Sequence, residues 1–210
     1  MSKVDMHCHS MYSDKPVHWL FRKLKARESY TQVEELYKRC KARGMDFVTI
    51  TDHDTIRGAL ELKEKHEEDT FIGCEFTVYF PKEQVSTHIC TYDITEAQYA
   101  QAKKHARDVF DFAAYTREEN ILTVVPHPFY NNMGQLDVKH LELLLLLFEN
   151  FEEISGLQMN EANQMQTEFF QKLSPEIMAE LARIHRIEPV FEKSWIKARV
   201  GGSDDHSSFM

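Results

Sequence analysis

The chain has 210 residues, of which 42% are apolar and 28% charged, so it has the make-up of an ordinary folded domain and the length to bury a hydrophobic core. A net charge of −9 excludes broad, charge-driven binding to nucleic acid, but not an anionic substrate, because bound cations dominate the field of a site. Cys8, Cys40, Cys74 and Cys90 form no Cys-x-x-Cys pair, no signal peptide is visible after Met1, and the most apolar run, LELLLLLF (141–148), is too short to span a bilayer. The expectation is a cytoplasmic protein with reduced thiols and no membrane partner.

Taken in chain order, KVDMHCH (3–9) reads as a first strand, followed by an irregular loop and a helix from about Thr31. Thr31 and Glu34 have capping-box spacing, and Gly44 is a plausible stop. FVTITDH (47–53) is a β-branched run ending in polar residues, and a charged helical pattern follows to about Glu68. TFIGCEFTVYF (70–80) and STHICTYDI (86–94) read as two strands, partly paired with each other across Pro81–Val85. One long helix over about 95–119 leads into ILTVVPHP (121–128), then a buried helix carrying LELLLLLF, then EEISGLQM (152–159). Ser174-Pro175 opens another helix with suitable N-cap and N1 residues, and RVGGSDDHS closes the chain. Repeated strand-then-helix alternation predicts a largely parallel sheet or a βα barrel, as one domain over 1–210.

Polar residues recur at the ends of these apolar runs. His7 and His9 finish the first, Asp52-His53 the second, and Glu75 follows Gly73-Cys74 in the third. His88 lies in the fourth, His127 sits between two prolines after the fifth, and Asp204 and His206 follow the last. In parallel βα folds active sites collect at the C-terminal ends of strands, so residues far apart in sequence can converge there. His7 and His9 would share a strand face at about 6.6 Å, close enough to lean onto one ion, while Cys8 points the other way as a packing thiol. Imidazoles and carboxylates without thiolates suit Zn, Mn or Fe. Asp52 and Asp54 flank His53 and read as groups that orient a ligand or as caps, not as catalysts. His18, His66, His105, His140 and His185 fall on helical or loop patterns and are set aside. Tyr92, Phe129 and Tyr130 lie beside the motifs and read equally as core or pocket lining.

HCHSMYSD (7–14), TDHDT (51–55), GCE (73–75), His88 in STHIC, His127 in VPHP and SDDH (203–206) together resemble the polymerase and histidinol phosphatase (PHP) domain phosphoesterases over nearly the whole chain. The resemblance implies a distorted (β/α)7 TIM-like barrel holding three divalent ions, of Zn, Mn or Fe. It assigns His7, His9, Glu75 and Asp204 to the first ion and makes Glu75 a bridge to the second, held also by His88 and His127. Asp14, His53 and His206 would hold the third. The implied reaction is hydrolysis of a phosphate ester by activated water, on a small phosphorylated metabolite or nucleotide. Arg57 is the leading cation for the phosphate, ahead of Lys15 and Arg22. Only Ser207 to Met210 follow His206, where the family continues into a helix. The barrel is therefore expected to lack its last helix, or the chain to continue into a fused C-terminal domain, as in PHP domains joined to a glycosyltransferase. An exonuclease acting on nucleic-acid ends, a non-catalytic module of a larger protein and a metal-dependent amidohydrolase are the competing functions.

Overall fold

The computed structural model describes residues 2–13, 23, 27–83, 85–129 and 136–206. Asp14, Lys15, His18, Arg22 and Tyr130, which the sequence singles out, lie outside the described residues. The architecture is mixed α/β, with three small sheets among the described residues. In the first, β1 (Val4–Asp5) pairs in parallel with β2 (Phe47–Val48). The second is antiparallel, in the order β3 (Gly73–Phe80), β4 (Val85–Tyr92), β5 (Leu122–Val124). In the third, β6 (Asn150–Ser155) and β7 (Ala198–Gly202) are again parallel.

The expectation of a largely parallel sheet thus fails at β4. Four residues separate β3 from β4, and a parallel return needs a crossover of a dozen or more. The hairpin that the sequence suggested across Pro81–Val85 is the consequence. The ladders themselves do not close into a barrel. Single parallel bridges nevertheless link the sheets: Val48 to Thr70 and His53 to Glu75, Val125 to Phe151, and Cys8 to Asp205.

Helices α1 (Val33–Ala42), α2 (Arg57–Lys65), α3 (Glu96–His105), α4 (Val109–Glu118), α5 (Val138–Leu147), α6 (Asn160–Lys172) and α7 (Pro175–His185) connect the strands. Ser174 caps α7 as its spacing predicts, accepting the Ile177 N–H at 3.3 Å, with Pro175 in the first turn. Two helix boundaries differ from expectation. The N-cap of α1 is Gln32, not Thr31, because Thr31 is buried and its backbone N–H donates to Ser29 Oγ at 3.3 Å. The single helix expected over 95–119 is two helices. Asp108 has extended backbone and caps α4 by accepting the Phe110 N–H at 2.8 Å, which interrupts the run.

The core gathers Leu36, Ile50, Leu62, Phe76, Phe80, Phe112, Phe148 and Phe151 with Leu143–Leu147 of α5. Each fully buried side chain of this size contributes about 1.5–3 kcal/mol, so LELLLLLF is a core helix. No helix among the described residues is long and apolar enough to cross a membrane. All four cysteines are free thiols and buried.

Candidate metal centre

His7 and His9 emerge just past β1, with their Nε2 atoms 3.0 Å apart. Cys8 between them faces the core and donates its thiol to Thr49 O at 3.1 Å, as alternation predicts. His53 follows β2, and its bridge to Glu75 brings these two residues side by side. Glu75 lies near the start of β3, and His88 on the reversed β4, in register with Thr77. His127 follows β5, and Asp204 and His206 follow β7. The Asp204 N–H donates to His7 O at 2.7 Å, which ties the last motif to the first. Asp54, His127 and Asp204 all have positive φ, at 53°, 30° and 52°. Such backbone is costly for residues other than glycine and persists where neighbours hold it. Glu152 Oε2 holds His127 by accepting its N–H at 2.7 Å.

Glu75 is fully buried and forms the centre. Its Oε2 lies 3.3 Å from His7 Nε2, 3.2 Å from His9 Nε2 and 3.0 Å from His53 Nδ1. Its Oε1 lies 3.0 Å from His88 Nδ1 and 3.3 Å from His127 Nε2. Neither oxygen has a hydrogen-bond partner among the described residues, and neither do His53 Nδ1 and His206 Nε2. Five ring nitrogens therefore crowd one carboxylate without the alignment of hydrogen bonds. A buried carboxylate left in that state is costly, and a cation among the converging lone pairs removes the cost.

Asp204 Oδ1 stands 3.5 Å from both His7 Nε2 and His9 Nε2. Burial pushes the Glu75 carboxyl upward, but the imidazoles of His53, His88 and His7 outweigh it and hold the group well below the usual carboxylate range. Asp204 is lowered in the same way, burial being overcome by His7 and His9. Burial pulls His9 down, yet Asp204 and Glu75 raise it to about 9. His206 is pushed down to about 4, first by burial and then by His9. Two anionic carboxylates among imidazoles form a donor set of oxygen and nitrogen that can bind divalent metal.

Four overlapping groups have donor atoms within 4.8 Å of one another: His7–His9–Glu75, His53–Glu75–His88, His7–His127–Asp204 and His9–His53–His206. Eight of the nine sequence-predicted ligands are thus brought together, and Asp14 lies outside the described residues. Because His127 groups with His7 and Asp204 as well as facing Glu75, the geometry does not partition the ligands among ions in the way the resemblance implies.

The surrounding residues fix the imidazoles. Asp52 accepts the Ser10 N–H and Oγ–H, both at 2.7 Å, and the Ser13 Oγ–H at 3.0 Å. With its proton given to Asp52, Ser13 Oγ accepts from His9 Nδ1 at 2.9 Å, so Nε2 is the nitrogen that would give up its proton to bind a cation. Asp54 instead accepts the Thr77 N–H and Oγ1–H at 2.9 and 3.0 Å, bracing the turn after His53.

The sequence reading missed Glu152 and Glu28. Glu152 Oε1 lies 3.3 Å from His7 Nδ1 and gives that ring the same tautomer logic. No pattern marked it, because β6 buries Phe151 and Glu152 in succession and so breaks the alternation of a strand. Gly202 permits this packing, since a Cβ there would collide with His7 and Glu152. Glu28 Oε2 lies 3.5 Å from His53 Nε2, and burial raises its carboxyl pKa. Nothing in its local sequence marks it.

Arg57, the first residue of α2, is exposed, with its guanidinium 4.6 Å from the centre of the Tyr12 ring. The four described histidines of those set aside have other partners: His66 stacks on Tyr37, His105 on Tyr115, His140 accepts the Asp137 N–H, and His185 pairs with Glu142. Tyr92 is buried and donates to Met6 O at 2.6 Å, bracing the strand that leads to His7, and Phe129 packs edge-on against Phe169.

No family model matches the chain. An uncharacterized protein of Methanocaldococcus jannaschii, MJ1587, is 38% identical over 76 residues, which is 35% of this chain and 43% of that protein, less than half its length. Solved structures are similar across nearly the whole chain. A "putative metal-dependent phosphoesterase" from Bifidobacterium adolescentis has a TM-score of 0.57 at 15% identity, over 100% of this chain and 89% of that one. An amidohydrolase from Chromobacterium violaceum, with bound sulfate and no metal, gives 0.58 at 15% over 98% and 88%. PsfC from Pseudomonas syringae gives 0.54 at 16% over 99% and 78%. At these identities the likeness concerns the fold, which this chain shares with one protein named a putative metal-dependent phosphoesterase and another named an amidohydrolase.

Proposed function

We propose that this chain is a metal-dependent phosphoesterase acting on a small phosphorylated metabolite or nucleotide. Three divalent ions, of Zn, Mn or Fe, would be held by His7, His9, Asp14, His53, Glu75, His88, His127, Asp204 and His206. The supporting observation is Glu75, a fully buried carboxylate ringed by five imidazole nitrogens at 3.0–3.3 Å with no hydrogen bond to either oxygen among the described residues. Its oxygens face different sets of rings, as suits a carboxylate shared by two ions. We read the circuit of bridges as a distorted seven-stranded barrel within one domain, with the ligands at the mouth.

Bound divalent ions supply Lewis acidity, which makes hydroxide available near neutral pH and offsets the charge of phosphate oxygens. The protein's part is to hold the donors in place: Ser13 and Glu152 fix the Nδ1 protons of His9 and His7, and burial keeps bulk water off Glu75. Arg57, exposed on the Tyr12 ring, is the cation proposed to meet the phosphate. The net charge of −9 favours a small ester over a nucleic-acid end.

Metal content and activity on a panel of phosphomonoesters, labelled single strands and amides, measured on one sample, test the reading. Phosphate release from a monoester with Mn or Zn, abolished by chelation, is expected. An inactive, metal-replete protein whose His7→Ala variant binds metal as well as the wild type would sink it. Turnover of amides alone would move the site to amidohydrolase chemistry.

A further inference from the structure

The group His9–His53–His206 consists of imidazoles alone. Neutral ligands leave the charge of a divalent ion uncompensated, so a carboxylate is wanted beside it. Glu28 faces one ring of this group, that of His53. Its Oε2 is buried, lies 3.5 Å from His53 Nε2, and has no hydrogen-bond partner among the described residues. The other nitrogen of the same ring, Nδ1, faces Glu75 at 3.0 Å, so His53 lies between two carboxylates.

The backbone around Glu28 is built into the site. The N–H groups of Glu28 and Ser29 both donate to Ser13 O, at 3.1 and 3.4 Å, and Ser29 Oγ–H donates to His9 O at 3.1 Å. The Ser13 hydroxyl is the one that orients His9 and accepts the His53 N–H at 3.1 Å. Placement of Glu28 is therefore coupled to two rings of the imidazole group, and its side chain is only 16% exposed.

We propose that Glu28 is a further carboxylate ligand of the centre, serving the ion held by His9, His53 and His206. The proposal rests on the metal-binding reading above. It gives this ion a second source of negative charge besides Asp14, from a residue 25 positions before His53 that belongs to no motif.

Mn2+ titration and element analysis of the full chain test it, with wild type, Glu28→Gln and Asp14→Asn side by side. Glu28→Gln is expected to lose one ion per chain, or to bind its weakest Mn2+ at least about 10-fold less tightly, while the remaining ions stay. Thermal unfolding of the metal-free variant should match that of the wild type. If the variant does not fold, Glu28→Asp, which keeps the charge and withdraws it by one methylene, should show the same weakening. A Glu28→Gln protein with wild-type stoichiometry and affinity overturns the proposal and leaves the phosphoesterase reading standing. A wild type that binds no Mn2+ overturns both.

Discussion

Lys197 and Glu75 are both buried ionisable side chains, 7% and 0% exposed, and the fold treats them in opposite ways. Lys197 Nζ donates to Leu145 O at 2.6 Å and Phe148 O at 2.8 Å, carbonyls at the C-terminal end of α5, where the helix dipole is negative. It also lies 5.4 Å from the centre of the Phe151 ring. The backbone gives that charge hydrogen-bond acceptors, though burial still disfavours it. Glu75 is surrounded by imidazoles, yet neither oxygen has a hydrogen bond among the described residues. A buried charge completed by its own fold is structural; one held in place and left incomplete marks a place for something that binds.

Chelation should produce the largest separation between the two. At metal about 1,000-fold above its Kd, each ion removed should lower stability by about 4 kcal/mol. Glu75→Gln should lack that metal-dependent increment and Lys197→Met should keep it. Urea unfolding with and without a chelator reads this directly, and an equal chelator effect in wild type and Glu75→Gln would break the comparison.

The next effect is pH-dependent. Burial pushes the Lys197 ammonium down from 10.5 to about 8, against a smaller opposing pull from Glu149. Between these values the unfolded chain binds a proton that the folded chain does not, so this group adds stability as pH rises through the window. Below about pH 8 both states are protonated and its contribution is flat. The wild type should gain about 3 kcal/mol on Lys197→Met from pH 8 to 10.5, measured as the difference in unfolding free energy across that range. A constant difference would mean that the ammonium is stable where it sits.

Glu152→Gln sharpens the other side of the comparison with the smallest expected change. The amide keeps an acceptor for the His127 N–H but loses the charge facing His7 Nδ1, so metal binding should weaken about 10- to 100-fold with the same number of ions. Calorimetric titration checks this. Complete loss of the ions would make Glu152 a ligand instead of an orienting group.

Much of the candidate centre was legible because chemistry-bearing residues stand at the ends of apolar runs, and strand ends are where a βα fold gathers them. The His-x-His pair, Glu75, His88, His127 and the closing Asp-x-His could be placed by type and order alone. The parallel expectation at β4 and the single helix over 95–119 failed for local reasons, a four-residue connection and the Asp108 cap. Thr31 failed as a cap for a tertiary one: it is drawn into the buried hydroxyl cluster beside His9. Glu28 and Glu152 lie in no motif, and only packing shows that they reach His53 and His7.

The sequence by itself determined the order of most strands and helices and the types of side chain on offer as donors, since hydrophobic period and residue chemistry are local properties of the chain. Only the tertiary structure decided which oxygen faces which ring, that Arg57 lies on Tyr12, and that two unmarked glutamates stand beside His53 and His7. Those facts depend on distances between segments as far apart as His7 and Glu152, and no local pattern records how strands more than a hundred residues apart will pack.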